Sequence, residues 1–328
     1  MHNEQPNFKE SYKTATAMLD SAEKNARAAM GALPKKEAEM QARIEEMIDE
    51  KAKALADILE QHAEGWMKMK DLDVFFPLFE SLAFPILKGF PYELGEKFME
   101  KFFSRIFSQA KLKEFTVKDS FKTGLAISCI LSFFGETYTK EKNEEKKRKK
   151  ETMPNKPLSF SFSEDDFSGT PSYIGYALPE DVAITIEGNS GWFIGRKMKG
   201  GTITIKGETN YLVGFEMRGG TIIVEKNAGN GAGQKMKGGL IIIRGNAGDV
   251  AGDSMTNGIL TIERSAKKQT GKDMKGGTLS IGGEVESFDK TAFSPDNKGT
   301  IIWKGVKIFE NGEIMPGFEQ MNVSAKII

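Results

Sequence analysis

Cysteine is almost missing from this 328-residue sequence: Cys129 stands alone. No disulfide can therefore form within the chain, and no multi-cysteine zinc or iron–sulfur site can be built from it. Histidine is nearly as scarce, with only His2 and His62, which leaves little material for a Ser–His or Cys–His nucleophilic pair. Net charge is absent as well, since Lys plus Arg and Asp plus Glu number 46 each. No global field draws such a protein to nucleic acid or to an anionic membrane. Long apolar runs are also lacking. The longest, Gly124 to Phe134, falls well short of the roughly 20 residues that a membrane-spanning helix needs. It reads as a buried helix, with no transmembrane segment expected. The alternative is peripheral membrane contact of the helical region, because phenylalanines such as Phe84, Phe102 and Phe103 precede it. The opening residues are polar and carry no apolar core followed by a small-residue cleavage site. Together with the cysteine count, this makes a cytoplasmic protein the expectation.

What is present falls into two halves, in keeping with about 150 residues per domain. Residues 1–138 are expected to form an all-α domain. Glycine is sparse up to His62 while Ala, Glu, Lys, Met and Gln abound, a composition that helices tolerate well. Ile44, Met47, Ile48, Leu55, Ile58 and Leu59 recur at three- and four-residue steps, one apolar stripe of a helix. Gly31 and Pro34 mark the turn of a helical hairpin. A charged linker is expected over 139–158, where Lys140 to Glu151 contains no apolar residue; its four glutamates dilute any basic signal.

Beyond the linker the chain repeats. Met198, Met217, Met236, Met255 and Met274 are 19 residues apart, and Gly195, Gly214, Gly233, Gly252 and Gly271 precede each by three. A short alternating run follows every methionine, such as Ile203 and Ile205, Ile222 and Val224, or Ile241 and Ile243. A unit with one tiny strand cannot bury its apolar side alone, whereas stacked units share a continuous core. The fold class expected is therefore α + β in two domains: the helical domain, then a right-handed parallel β-helix of about seven coils over 159–305. Right-handedness follows from the general rule for parallel crossovers. Residues 306–328 are the expected C-terminal cap, covering an open strand edge that would otherwise invite aggregation.

Stacking turns each repeat position into a row. The methionines read as soft internal filling beside tight glycine corners. Glu187, Lys206, Glu225, Arg244 and Glu263 alternate in sign, which suits coil register. Lys199, Arg218, Lys237 and Lys275 place like charges in one column, interrupted by Thr256. Like charges aligned along a rod are unfavourable without an acidic partner, so this column is a candidate contact surface. Ile223 and Ile242 interrupt an outward row of threonine and serine, and exposed apolar patches mark contacts.

The segment Gly195-Arg-Lys-Met198-Lys-Gly200-Gly201-Thr-Ile203-Thr-Ile205-Lys-Gly207, with its phase kept through five units, resembles the GXGXG-type repeat domain at the C-terminus of the glutamate synthase large subunit. It is similar too to the C component of formylmethanofuran dehydrogenase. The likeness covers about residues 170 to 305 and implies scaffold or assembly work rather than chemistry. The chain departs from those proteins in having no amidotransferase region with an N-terminal cysteine and no flavin-binding barrel.

No catalytic residue, cofactor or metal is expected. Gly229 to Gly233 superficially resembles a phosphate-cradling loop but opens no helix and falls in phase with the repeat. Glu164, Asp165 and Asp166 lack the spacing of a calcium loop. Two readings stay open: a structural subunit that docks protein partners or itself, and a binding module that presents the basic column to an anionic ligand or acidic partner. Nucleic acid is not expected as a partner.

Overall fold

The computed structural model describes residues 35–67, 81–88, 90, 98, 101, 120–147, 157–162, 170–321 and 323–328. The first helix of the expected hairpin, His2, Phe102, Phe103 and the Glu164–Asp166 carboxylates lie outside the described residues, as does the side chain of His62. By contact density the chain falls into two compact units, Met1–Lys51 and Ala52–Ile328. Helix α1 spans Lys35–Met67. Its buried stripe is Ile48, Ala52, Leu55 and Ala56, the helical spacing read from the sequence. Helix α2 (Ser120–Lys147) contains the apolar stretch and continues into the charged run. Phe90, Phe98 and Phe134 pack with ring centroids 5.4 to 5.9 Å apart.

The rest is a β-solenoid of about six turns. One ten-stranded sheet follows chain order: β1 (Leu158–Phe162), β2 (Val182–Ile186), β3 (Thr202–Ile205), β4 (Thr221–Val224), β5 (Lys237–Ile243), β6 (Asn257–Ile262), β7 (Thr278–Ile281), β8 (Thr300–Trp303), β9 (Val306–Glu310) and β10 (Glu313–Ile314). Strands β1 to β8 pair in parallel. The offset is 19 residues from Ala183↔Thr202 through Ile259↔Thr278, then 22 at Thr278↔Thr300. Inward positions Ile203, Ile222, Ile241, Leu260, Leu279 and Ile301 are fully buried. Each such side chain contributes about 1.5–3 kcal/mol of burial free energy. A second column of small residues, Ser190, Thr209, Ala228, Ala247 and Ala266, forms isolated parallel bridges on another side of the coil.

Methionine and glycine are coupled across coils. All five repeat methionines are fully buried. The Met198 methyl lies 2.6 Å from where a Cβ on Gly220 would stand, and the Met217 methyl 2.7 Å from the same point on Gly239. Gly220 also holds φ +81° and Gly239 φ +86°. A side chain there meets both the methyl of the preceding coil and an unfavourable backbone region.

Both ends are closed from within the chain. In the interior, the Gly195 amide donates to Ile174 O (2.9 Å) and the Gly214 amide to Ile194 O (2.8 Å), one coil back. The corresponding amide of Gly175 donates instead to Ser128 Oγ of α2 (2.9 Å), with no earlier coil on this side among the described residues. Ser128 Oγ also lies 2.8 Å from Gly124 O and 3.0 Å from Tyr173 O, and Tyr176 N donates to it at 3.3 Å. Gly124 permits this approach, since a Cβ there would fall 1.7 Å from Ser172 O. Further along α2, Lys142 Nζ pairs with Asp181 Oδ1 at 2.7 Å. At the far end β9 reverses and pairs antiparallel with β8. The chain then returns through α3 (Gly317–Gln320) and a 3-10 turn, so that Phe288 N donates to Lys326 O (2.7 Å).

Replacing Ser128 with Ala should leave the buried Gly175 amide without an acceptor, lowering unfolding free energy by about 1–3 kcal/mol in urea titration. An unchanged midpoint would refute the capping role. A second expectation concerns alkaline pH. Hydrogen bonding to Asp181 holds the Lys142 ammonium above its ordinary value of 10.5. A raised folded-state value means that its stabilisation is fully present below 10.5 and disappears as pH rises through the folded value. The stability of Lys142→Met should therefore fall less steeply than that of the parent above that pH.

Candidate functional site

Three surface features of the solenoid stand apart from its repeating interior. The first is the outward face of the sheet at β4, β5 and β6. Register places Ile223 beside Ile242 and Leu240 beside Ile259. The first three are half-buried, and Ile259 is 45% exposed. Four aliphatic side chains thus form one patch on three adjacent strands, where neighbouring coils offer Thr202, Thr204, Thr278 and Ser280. Outward positions on a half-solvated sheet are normally polar, so the patch breaks the rule locally. Leu240 and Ile259 are additions to the pair read from the sequence; they belong to a row that starts with Thr202 and Thr221.

The second feature is the basic column. Lys199, Arg218, Lys237, Thr256 and Lys275 are all exposed. The amides of Arg218, Lys237, Thr256 and Lys275 donate to the carbonyls of Met198, Met217, Met236 and Met255 at 2.7 to 2.8 Å, which fixes one residue per coil. In the next coil the 22-residue offset brings the buried Asn297 level with Lys275, so the column ends there. Among the described residues, none of Lys199, Arg218, Lys237 and Lys275 makes an ion pair. The alternating column behaves differently: Arg244 stands between Glu225 (2.8 Å) and Glu263 (3.5 Å). On β5 the basic column lies at Lys237, three residues before Leu240. The column and the patch thus come within three residues of each other in sequence, with a register shift and Gly239 at φ +86° between them.

The third feature was missed in the sequence. At the turns facing away from the sheet, Trp192 and Tyr211 are 42% and 43% exposed and meet edge to face at 5.1 Å. Beside them the Arg196 guanidinium carbon lies 5.3 Å from the ring centres of Phe193 and Phe215 and 5.8 Å from that of Tyr173. The 19-residue step from Trp192 to Tyr211 carried this signal. Three positions earlier in each coil, before the small-residue bridge column, runs a polar ladder: Asn227 Oδ1 accepts from Asn246 N (2.8 Å), Asn246 Oδ1 from Ser265 N (3.1 Å) and Ser265 Oγ from Glu284 N (3.1 Å).

The remaining motifs read from the sequence take ordinary places in the coils and helices. The amides of Gly229, Gly231 and Gly233 donate to Thr209 O and Asn210 O, to Asp249 O and to Val213 O. They are occupied by neighbouring coils and cannot cradle a phosphate. Cys129 is buried within α2. Among the described residues no cluster of three or more His, Cys, Asp or Glu stands ready for a metal, and no helix is long and apolar enough to cross a membrane. No protein-family model matches the chain, and no curated protein matches it either.

If the basic column serves binding rather than folding, removing a charge should not weaken the fold. Arg218→Gln and Lys237→Gln should leave stability equal or slightly raised at low salt, the gain fading as salt screens the repulsion. Arg244→Gln should instead lose up to about 1 kcal/mol. Urea midpoints at two ionic strengths decide between these; destabilisation by both kinds of variant would make the basic column structural.

Proposed function

We propose that this protein is a non-catalytic structural or assembly subunit whose β-helix docks partner proteins. In the finer reading it is a right-handed GXGXG-type β-helix of about seven coils behind a helical domain, similar to the C-terminal domain of the glutamate synthase large subunit and to the C component of formylmethanofuran dehydrogenase. Cytoplasmic work within a larger assembly fits that likeness. The observation that carries the proposal is the aliphatic patch of Ile223, Leu240, Ile242 and Ile259, flanked in the adjoining coils by threonine and serine. A parallel sheet held coil by coil is rigid, so a patch on it is preorganised and binding requires little ordering of the surface. Self-association through the same patch belongs to this reading.

A second reading, a module that presents the basic column to an anionic ligand or acidic partner, is favoured by one observation. Arg218 and Lys237 are exposed on adjacent coils and have no ion-pair partner among the described residues.

Affinity purification of the tagged full chain from its native host, at moderate salt, tests the first reading. A stoichiometric protein partner should co-purify with the parent and be lost with Ile223→Asn/Ile242→Asn, while the thermal transition of the variant stays cooperative. Recovery of nothing but the protein itself, sedimenting as a monomer, would sink the docking proposal.

A further inference from the structure

We infer that the partner surface recognised by this face is an acidic amphipathic α-helix, lying along the solenoid axis with its carboxylates on the basic column and its aliphatic side chains on the β4–β6 patch. The inference rests on the docking reading above and names the chemistry of the docked element.

Three observations lead to it. The cations repeat once per coil, at about 4.8 Å, with amide bonds holding each over the last. An α-helix repeats its face once per turn, at about 5.4 Å. The mismatch is only about 0.6 Å per rung, or about 2.4 Å over the four steps from Lys199 to Lys275, within the sweep of flexible lysine side chains. A helix of about 13 residues covers the column from end to end. An extended strand lying along the same axis is a poorer match: its same-face side chains recur at about 6.6–6.8 Å and drift out of step sooner.

The second observation is the neighbouring patch. Lys237 and Leu240 lie on the same strand, and Leu240 pairs with Ile259. A ligand that satisfies both columns needs an acidic stripe beside an aliphatic stripe. An amphipathic helix carries two such stripes side by side, whereas a sugar–phosphate backbone has nothing to place on four aliphatic side chains.

The third observation is the charge balance. The chain has 46 basic and 46 acidic side chains, so the attraction is confined to the column and lacks the broad field that concentrates polyanions. Thr256 interrupts the column at its fourth rung, level with the gap between Lys237 and Lys275. A helix whose carboxylates match the column should leave that turn uncharged.

The test uses the full chain and three fluorescent probes, read by anisotropy. One is a helical peptide of about 18 residues with one glutamate per turn beside a leucine stripe. The second has the same composition with the stripes intermixed. The third is a single-stranded oligonucleotide of similar length. The striped peptide should bind about tenfold or more tightly than the intermixed one. Arg218→Glu/Lys237→Glu should weaken it by a similar factor, and a peptide with lysine in place of glutamate should recover affinity for that variant. Equal binding of the striped and intermixed peptides would overturn the proposal. So would indifference to Arg218→Glu/Lys237→Glu, or tighter binding of the oligonucleotide that the same variant abolishes. The native purification separates the two levels: a partner lost with Ile223→Asn/Ile242→Asn but kept by Arg218→Glu/Lys237→Glu leaves docking intact and removes the acidic helix.

Discussion

Amides of each coil find their acceptors in the coils on either side, some one coil earlier and some one coil later, and this dependence governs the molecule. Met217 and Met236 supply carbonyls to Lys237 and Thr256, and Ile174 and Ile194 supply them to Gly195 and Gly214. Such bonds are cheap while coils follow one another and costly where they stop, because a buried amide without an acceptor retains its full desolvation cost. A solenoid is therefore decided at its ends as much as in its middle. The hydroxyl of Ser128 accepts from Gly175 where the inner coils use a carbonyl of the coil before, and β9 turns back to pair with β8. Helix and tail thus meet the two ends of the solenoid from the same chain.

The same dependence explains why residue types run in columns. A side chain in one coil has its own homologue above and below, so any solution that works once works again. Met198 over Gly220 is repeated as Met217 over Gly239 and Met236 over Gly258. The polar corner shows the principle with more latitude: asparagine, serine and glutamate occupy 19-spaced positions, and an oxygen from Asn227, Asn246 or Ser265 caps the next coil's amide. Only the acceptor geometry is kept along that column.

This also sets what could be read in advance. The strands, the buried methionines and the column assignments were legible because a fixed 19-residue phase reports directly on stacking. Arg244 between two glutamates was legible for the same reason. Ser128 was not: its contact with Gly175 occurs once, across 47 residues and between a helix and a coil, so no periodicity announces it. The asparagine ladder escaped because its residue type varies while its function does not. Trp192 and Tyr211 escaped because an aromatic pair repeated only once looks like chance beside five methionines in phase. Leu240 and Ile259 were hidden in a row that begins with threonine, and only the strand register joins them to Ile223 and Ile242.

In a repeating structure, function is best sought where a column departs from what stacking favours. Opposite charges in neighbouring coils help register, and the Glu225–Arg244–Glu263 column meets that demand. The column from Lys199 to Lys275 opposes it, since like charges on adjacent strands repel. The patch at β4 to β6 opposes a different demand, leaving aliphatic surface in water. Neither departure helps the fold, and the two meet on β5, where Lys237 lies three residues from Leu240. Two independent costs placed side by side are most simply explained by one ligand that relieves both. That ligand must carry negative charge and aliphatic surface in adjacent stripes, with a repeat close to the spacing of the coils.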